Sequence, residues 1–228
     1  MKIAYVSYAV AGRENYPAGI PRLAASWTEH CPTARGHVYT SGVVPAEVEC
    51  FSGSVPSHAE VPYGFKPAMV AGVDADIIVW CDATIQLVGD PTPLFEKALQ
   101  QGVVAFNNPG CPEATWTTDD CLAKIGCPVE RARTFSQVMA CVLIFAPKTE
   151  VGGRLLKEWL DISRDGVSFC GGTQSFNRPD YRDHRHDQSV ISWLLERDGI
   201  AREPYGALTY WDDRSTSTVY TNRGLYQP

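Results

Sequence analysis

The chain has 228 residues, 44% of them hydrophobic, 11% aromatic and 20% charged, with 20 basic against 26 acidic side chains for a net charge of −6. That composition excludes a disordered, collagenous or coiled-coil chain, and the acidic balance, without any Lys/Arg-rich run, argues against a large phosphate-backbone footprint. The length suits one core, so residues 1–228 are expected to form one domain.

Residues 2–8, Lys-Ile-Ala-Tyr-Val-Ser-Tyr, read as a buried strand that runs into a loop at Ala11-Gly12-Arg13. Residues 22–30 read as a helix, 36–40 as a short strand, and 45–62, with their Gly, Ser and Pro, as loop. A helical turn over residues 65–71 precedes 75–82, Ala-Asp-Ile-Ile-Val-Trp-Cys-Asp, an unbroken apolar run that ends in a carboxylate. Such a run suits a central strand covered on both faces. Asp90 and Pro91 open a helix over 94–101 that Gly102 closes, and a strand at 103–106 leads into Asn107-Asn108-Pro109-Gly110. Residues 117–120 carry N-cap chemistry for a helix to about Ile125. A second apolar strand, 138–145, stops at Pro147, with a helix over 151–162 behind it. After Gly171-Gly172, His186-Asp187-Gln188-Ser189 starts a helix whose Val190, Ile191, Leu194 and Leu195 fall at helical spacing. Strands alternating with helices predict a layered α/β domain. No stretch approaches 18 uninterrupted apolar residues and residues 1–8 lack a signal-type apolar region, so a cytoplasmic location without a membrane partner is expected. The eight cysteines include no C-x-x-C pair and read as reduced thiols.

Ligands of open α/β sheets collect at the C-terminal ends of strands, which makes Ser7, Tyr8 and the segment to Pro21 candidates. Asp82, in Trp80-Cys81-Asp82-Ala83-Thr84, is the strongest, because a carboxylate at the end of a buried strand reaches a ligand without being desolvated; the plain alternative is a turn or capping Asp. Asn107 and Asn108 end a strand on the same presumed edge and are candidates for binding a ligand there, or are simply turn residues. Trp116 and Trp211-Asp212-Asp213 are candidates for lining a ligand site, or packing residues. Asp183-His184-Arg185-His186-Asp187 reads either as a charged helix entry or as a metal cluster, the latter giving a metal-dependent hydrolase that uses His184, His186 and Asp187.

Several pieces in order resemble the nucleotide-sugar-dependent glycosyltransferases of the GT-A fold, including glycogenin-like members and related viral and plant proteins. They are Phe65-Lys66-Pro67, Ile77 to Ile85 around Asp82, Asp90-Pro91 with Leu94-Phe95, the strand Gln137 to Phe145 followed by Leu155-Leu156-Lys157-Glu158-Trp159, and His186-Asp187-Gln188-Ser189. The resemblance implies a single three-layer α/β/α domain with a mixed, mostly parallel central sheet. It further implies transfer of a hexosyl or pentosyl unit from a nucleotide-diphosphate-sugar donor to an acceptor hydroxyl, the acceptor being a glycan, a protein, a small molecule or a modified nucleobase. The family's Asp-x-Asp motif holds a divalent metal, Mn2+ or Mg2+, against the donor diphosphate; here Asp82 remains and Thr84 replaces the second Asp. A single carboxylate makes a weak site for a hard cation. Either Asp187, His184 or Asp212 completes it, or a cationic side chain such as Arg223 substitutes for the metal. Asp187 and Asp82 are then the catalytic candidates, Asp187 as a base or as a positioner of hydroxyls. Ser7, Tyr8, Lys66, Thr84, Asn107, Asn108, Gln188 and Arg223 are candidates for holding the donor, with Tyr8 stacking on its base. Loss of the second carboxylate also allows a catalytically inactive sugar-nucleotide-binding relative.

Overall fold

Apolar strands without a polar face need helices on both sides, and the computed structural model supplies them. It describes residues 1–10, 16–172, 178–209 and 217–221. Its strands are β1 (Ile3–Ala9), β2 (Arg35–Thr40), β3 (Val48–Cys50), β4 (Ile77–Cys81), β5 (Ile85–Leu87), β6 (Val103–Pro112), β7 (Ser136–Phe145), β8 (Leu208–Thr209) and β9 (Val219–Thr221). The helices are α1 (Tyr16–His30), α2 (Phe65–Ala71), α3 (Thr92–Gln101), α4 (Asp119–Lys124), α5 (Val129–Ala132), α6 (Glu150–Ile162) and α7 (His186–Arg197).

The main sheet has the order β3-β2-β1-β4-β7-β6, and a small second sheet has the order β5-β9-β8. β1 to β4 run parallel, while β7 is antiparallel to both of its neighbours, so the sheet is mixed and mostly parallel. Side chains alternate between its faces. Ile3, Tyr5, Ile77, Val79, Val104 and Ile144 pack on one face with Ile20, Leu23 and Trp27 of α1 and Phe95 of α3. Ala4, Val6, Ile78, Trp80, Leu143 and Phe145 pack on the other with Met69 of α2, Leu155 and Trp159 of α6, and Ile191 and Leu194 of α7. This is the expected three-layer α/β/α arrangement. Stacked rings tie the layers together, Tyr5 on Trp27 at 4.7 Å and Phe145 on Trp159 at 5.7 Å between centroids. Cys81 and Cys141 are buried free thiols that fill space in the same core.

Several boundaries differ from the sequence reading. The first helix begins at Tyr16 rather than at residue 22 and carries Pro21 within it. The segment 45–62 is not all loop, since β3 adds an edge strand to β2. The strand predicted at 103–106 continues to Pro112, so Asn107 to Gly110 lie in β6, across register shifts against β7 that the apolar pattern does not encode. The segment after Asp82 holds a strand that the sequence reading did not place, β5, paired with β9 from the far end of the chain. Thr118 caps α4 as expected, its hydroxyl accepting from the Cys121 amide.

The loop after β4 is fixed by close backbone contact. A Cβ at Gly19 in α1 would lie 2.2 Å from the carbonyl oxygen of Ala83. Gly19→Ala is therefore expected to lower stability by about 1–3 kcal/mol despite the better helix propensity of alanine, measured as a lower urea midpoint; an unchanged midpoint would show that the loop yields freely.

Candidate functional site

The C-terminal ends of β1 and β4, the start of α2 and the start of α7 enclose a cleft of about 990 Å³. At its floor Lys66, in the first turn of α2, is buried. A cation at a helix N-terminus is opposed by the helix dipole, so its charge must be compensated from elsewhere. The Nζ atom donates to the carbonyl of Ala140 in β7 at 2.8 Å and lies 3.0 Å from Asp187 Oδ2 and 3.5 Å from Asp82 Oδ1. Trp80 and Tyr63 present their rings at 5.4 and 5.0 Å. Burial opposes the charge on Lys66, but Asp187 and then Asp82 overcome that penalty and hold its pKa above the ordinary lysine value. Asp187 is buried in the first turn of α7, and burial pushes its pKa up against the opposing pull of Lys66. Asp82 directly follows β4, its amide bonded to the Cys141 carbonyl at 2.8 Å and its Oδ1 accepting from Trp80 Nε1 at 2.9 Å.

The fold thus brings Asp82, Lys66 and Asp187 together, and Tyr8, Asn108 and Gln188 line the same cleft. Other candidates fall elsewhere. Ser7 is fully buried, and its hydroxyl has no hydrogen-bond partner among the described residues. Thr84 is buried outside the cleft lining, and Asn107 lines a separate depression of about 650 Å³ beside Phe135 and Arg202. Tyr8 lines the cleft, but its ring lies between Phe65 at 3.9 Å and Tyr39 at 5.2 Å, both stacked, so neither face is open to a base. Arg223, Trp211, Asp212 and Asp213 lie outside the described residues.

Both nitrogens of His184 are engaged. Its Nε2 faces the Ser168 carbonyl at 2.8 Å and its Nδ1 faces the Thr118 amide at 3.5 Å, while burial, aided by His186, pushes its pKa down to about 4. His186 Nδ1 lies 2.7 Å from the Phe169 carbonyl. With His184 committed to the backbone and Asp187 to Lys66, the hydrolase cluster is not formed. Among the described residues no group of three or more His, Cys, Asp or Glu is placed to hold a metal ion. Asp82 stands opposite an ammonium rather than a second carboxylate, so the described donors do not fit a divalent cation.

A buried hydrogen-bond chain, invisible in the sequence, runs from the cleft into the core. Gln188 Nε2 donates to Gln137 Oε1 at 2.9 Å, Gln137 Nε2 to Ser189 Oγ at 3.2 Å and Thr117 Oγ1 at 3.4 Å, and Thr117 Oγ1 to Glu113 Oε1 at 2.5 Å. Turning the Gln188 nitrogen toward Gln137 leaves its carbonyl oxygen for a ligand. Glu113 is wholly buried, and burial pushes its pKa up to about 8 against weaker opposing effects from Thr117, Gln137 and two arginines.

No family model matches the chain, and no curated protein sequence matches it. Solved structures do. WbbM, a bifunctional glycosyltransferase, is similar over 96% of this chain and 45% of its own at 14% identity and a TM-score of 0.59. Mouse xyloside xylosyltransferase 1 is similar over 98% of both chains, at 8% identity and a TM-score of 0.56. The galactosyltransferase LgtC, solved with donor and acceptor sugar analogs, is similar over 98% of this chain and 88% of its own, at 16% identity and a TM-score of 0.54. The chain has the GT-A fold. In this GT-A sheet Lys66, Asp82 and Asp187 occupy the edge where strand C-termini meet the first turns of α2 and α7.

The raised pKa of Glu113 has a consequence for stability. Between 4.5, its value when exposed, and about 8 the folded chain holds a proton that the unfolded chain releases, so this group makes stability fall as pH rises through that window. Glu113→Gln removes the effect. Urea unfolding at pH 5 and pH 9 is expected to show the variant gaining at least about 1 kcal/mol relative to wild type at the higher pH; parallel shifts at both values would contradict a buried neutral carboxyl.

Proposed function

We propose that residues 1–228 form one glycosyltransferase domain that transfers a hexosyl or pentosyl unit from a nucleotide-diphosphate-sugar donor to an acceptor hydroxyl. The observation that carries this reading is the Asp82–Lys66–Asp187 cluster at the floor of a large cleft on the strand C-terminal edge of a GT-A sheet. Breaking a glycosidic bond leaves positive charge on the sugar ring and negative charge on the departing diphosphate. With both carboxylates ionised, the cluster carries one net negative charge, which suits the ring rather than the diphosphate. Asp187, held rigidly by Lys66, accepts a hydrogen bond from a reacting or neighbouring hydroxyl, and the Gln188 carbonyl oxygen accepts another. The nucleotide occupies the Tyr8 and Asp82 side of the cleft, with the edge of the Tyr8 ring rather than its face toward it.

Asp187→Asn preserves volume and removes the charge. Turnover is expected to fall about 10²-fold or more, with donor affinity changed by less than about threefold, read by steady-state kinetics with direct donor titration. Equal loss of affinity and turnover would make Asp187 a donor ligand instead. Because the described donors do not fit a divalent cation, titrating Mn2+ alone into the protein is expected to reveal no site tighter than about 1 mM. A stoichiometric site that vanishes in Asp82→Asn would overturn that expectation.

A further inference from the structure

Three arginines among the described residues are partly buried, namely Arg178, Arg185 and Arg202. Arg178 pairs with Asp119 and Arg202 with Glu196. Arg185 has no carboxylate partner among the described residues, although it lines the cleft. Its guanidinium lies 3.8 Å from the centroid of the Trp116 ring, and its Nη1 donates to the Cys111 thiol at 3.4 Å. Its backbone amide donates to the Trp116 carbonyl at 3.0 Å, which fixes the stem. The nearby carboxyl of Glu113 is buried and accepts from the Thr117 hydroxyl, and burial pushes its pKa up, so at moderate pH it offers Arg185 no ion pair.

A half-buried guanidinium that lies over an indole and, among the described residues, donates only to a thiol keeps most of its five donors for something else. Stacking repays part of its desolvation, and a bidentate carboxylate or phosphate repays the rest. Its position separates it from the nucleotide side. Cys111 belongs to β6, and Tyr8 to β1, three strand positions away in the sheet, or about 14 Å at the usual strand spacing. Lys66 and Asp187 lie between, around β4 and β7.

We propose that Arg185, stacked on Trp116, forms an anion-binding subsite that takes a phosphate or carboxylate group of the acceptor. The word acceptor rests on the glycosyltransferase reading; the anion subsite does not. The donor diphosphate is the other source of the same chemistry, and the nucleotide side proposed at Tyr8 and Asp82 lies across the cleft from Cys111.

Calorimetric titration with inorganic phosphate, before and after saturation with UDP or GDP, separates these cases. Phosphate is expected to bind one site on the nucleotide-loaded protein, and Arg185→Met to weaken it about tenfold or more, with nucleotide affinity changed by less than about twofold. Arg185→Lys, which keeps the charge but not the fork, is expected to fall between them, and unchanged thermal melting of both variants excludes unfolding as the cause. If phosphate binds only nucleotide-free protein, or Arg185→Met loses nucleotide affinity by the same factor, the cation serves the donor and the acceptor assignment is overturned. If wild type binds no phosphate, or Arg185→Met binds it equally well, there is no anion subsite. If none of UDP, GDP, ADP, CDP and dTDP binds while phosphate still binds through Arg185, the subsite stands and the glycosyltransferase reading fails.

Discussion

An ammonium group taken out of water must be met by negative charge, and the buried Lys66 is met by two carboxylates from separate parts of the chain. Asp82 reaches it from the end of β4, Asp187 from the first turn of α7, and the Ala140 carbonyl from the middle of β7. Removing one member of such a buried arrangement typically costs about 3–5 kcal/mol, because it strands the others without compensation. The register between β4 and β7 and the docking of α2 and α7 on one face of the sheet are thereby coupled to one cluster of charges. The same cluster sets the character of the cleft, rigid at its floor and net negative where the carboxylates are ionised.

Two further devices extend that rigidity. The chain from Gln188 through Gln137 and Thr117 to Glu113 points its donors into the core and ends on a carboxyl that burial keeps neutral at moderate pH. Its effect is to orient an amide at the cleft surface from side chains that are themselves wholly buried. On the β6 side, the Trp116 indole orients Arg185. The cleft therefore has a floor that is negative where its carboxylates are ionised and a wall that carries a positive charge.

The sheet itself explains why chemistry gathers at this edge. Apolar strands such as β4, buried along their whole length, leave no polar group inside the core, so polar side chains appear only where the strand ends. Helices on both faces close the sides, and the first turns of α2 and α7 bring Lys66 and Asp187 to that edge. The similarity to solved glycosyltransferase structures, at low identity, is a similarity of this architecture.

Local pattern alone determined the layered α/β class, the two apolar strands at the centre and the placement of Asp82 and Asp187 at element ends, because burial and capping leave a period and a punctuation in the chain. It did not reveal β3, β5 or the extension of β6, which are short or irregular and exist through pairing with distant strands rather than through their own propensity. Nor did it show that Tyr8 is covered on both faces, that His184 is spent on backbone partners, or that Asn107 turns away from the cleft. Those outcomes depend on which side chains the folded sheet brings within a few ångströms of one another. Only the tertiary structure decided that Lys66 stands between the two carboxylates, since an ion pair between remote positions has no signature in the order of residues along the chain.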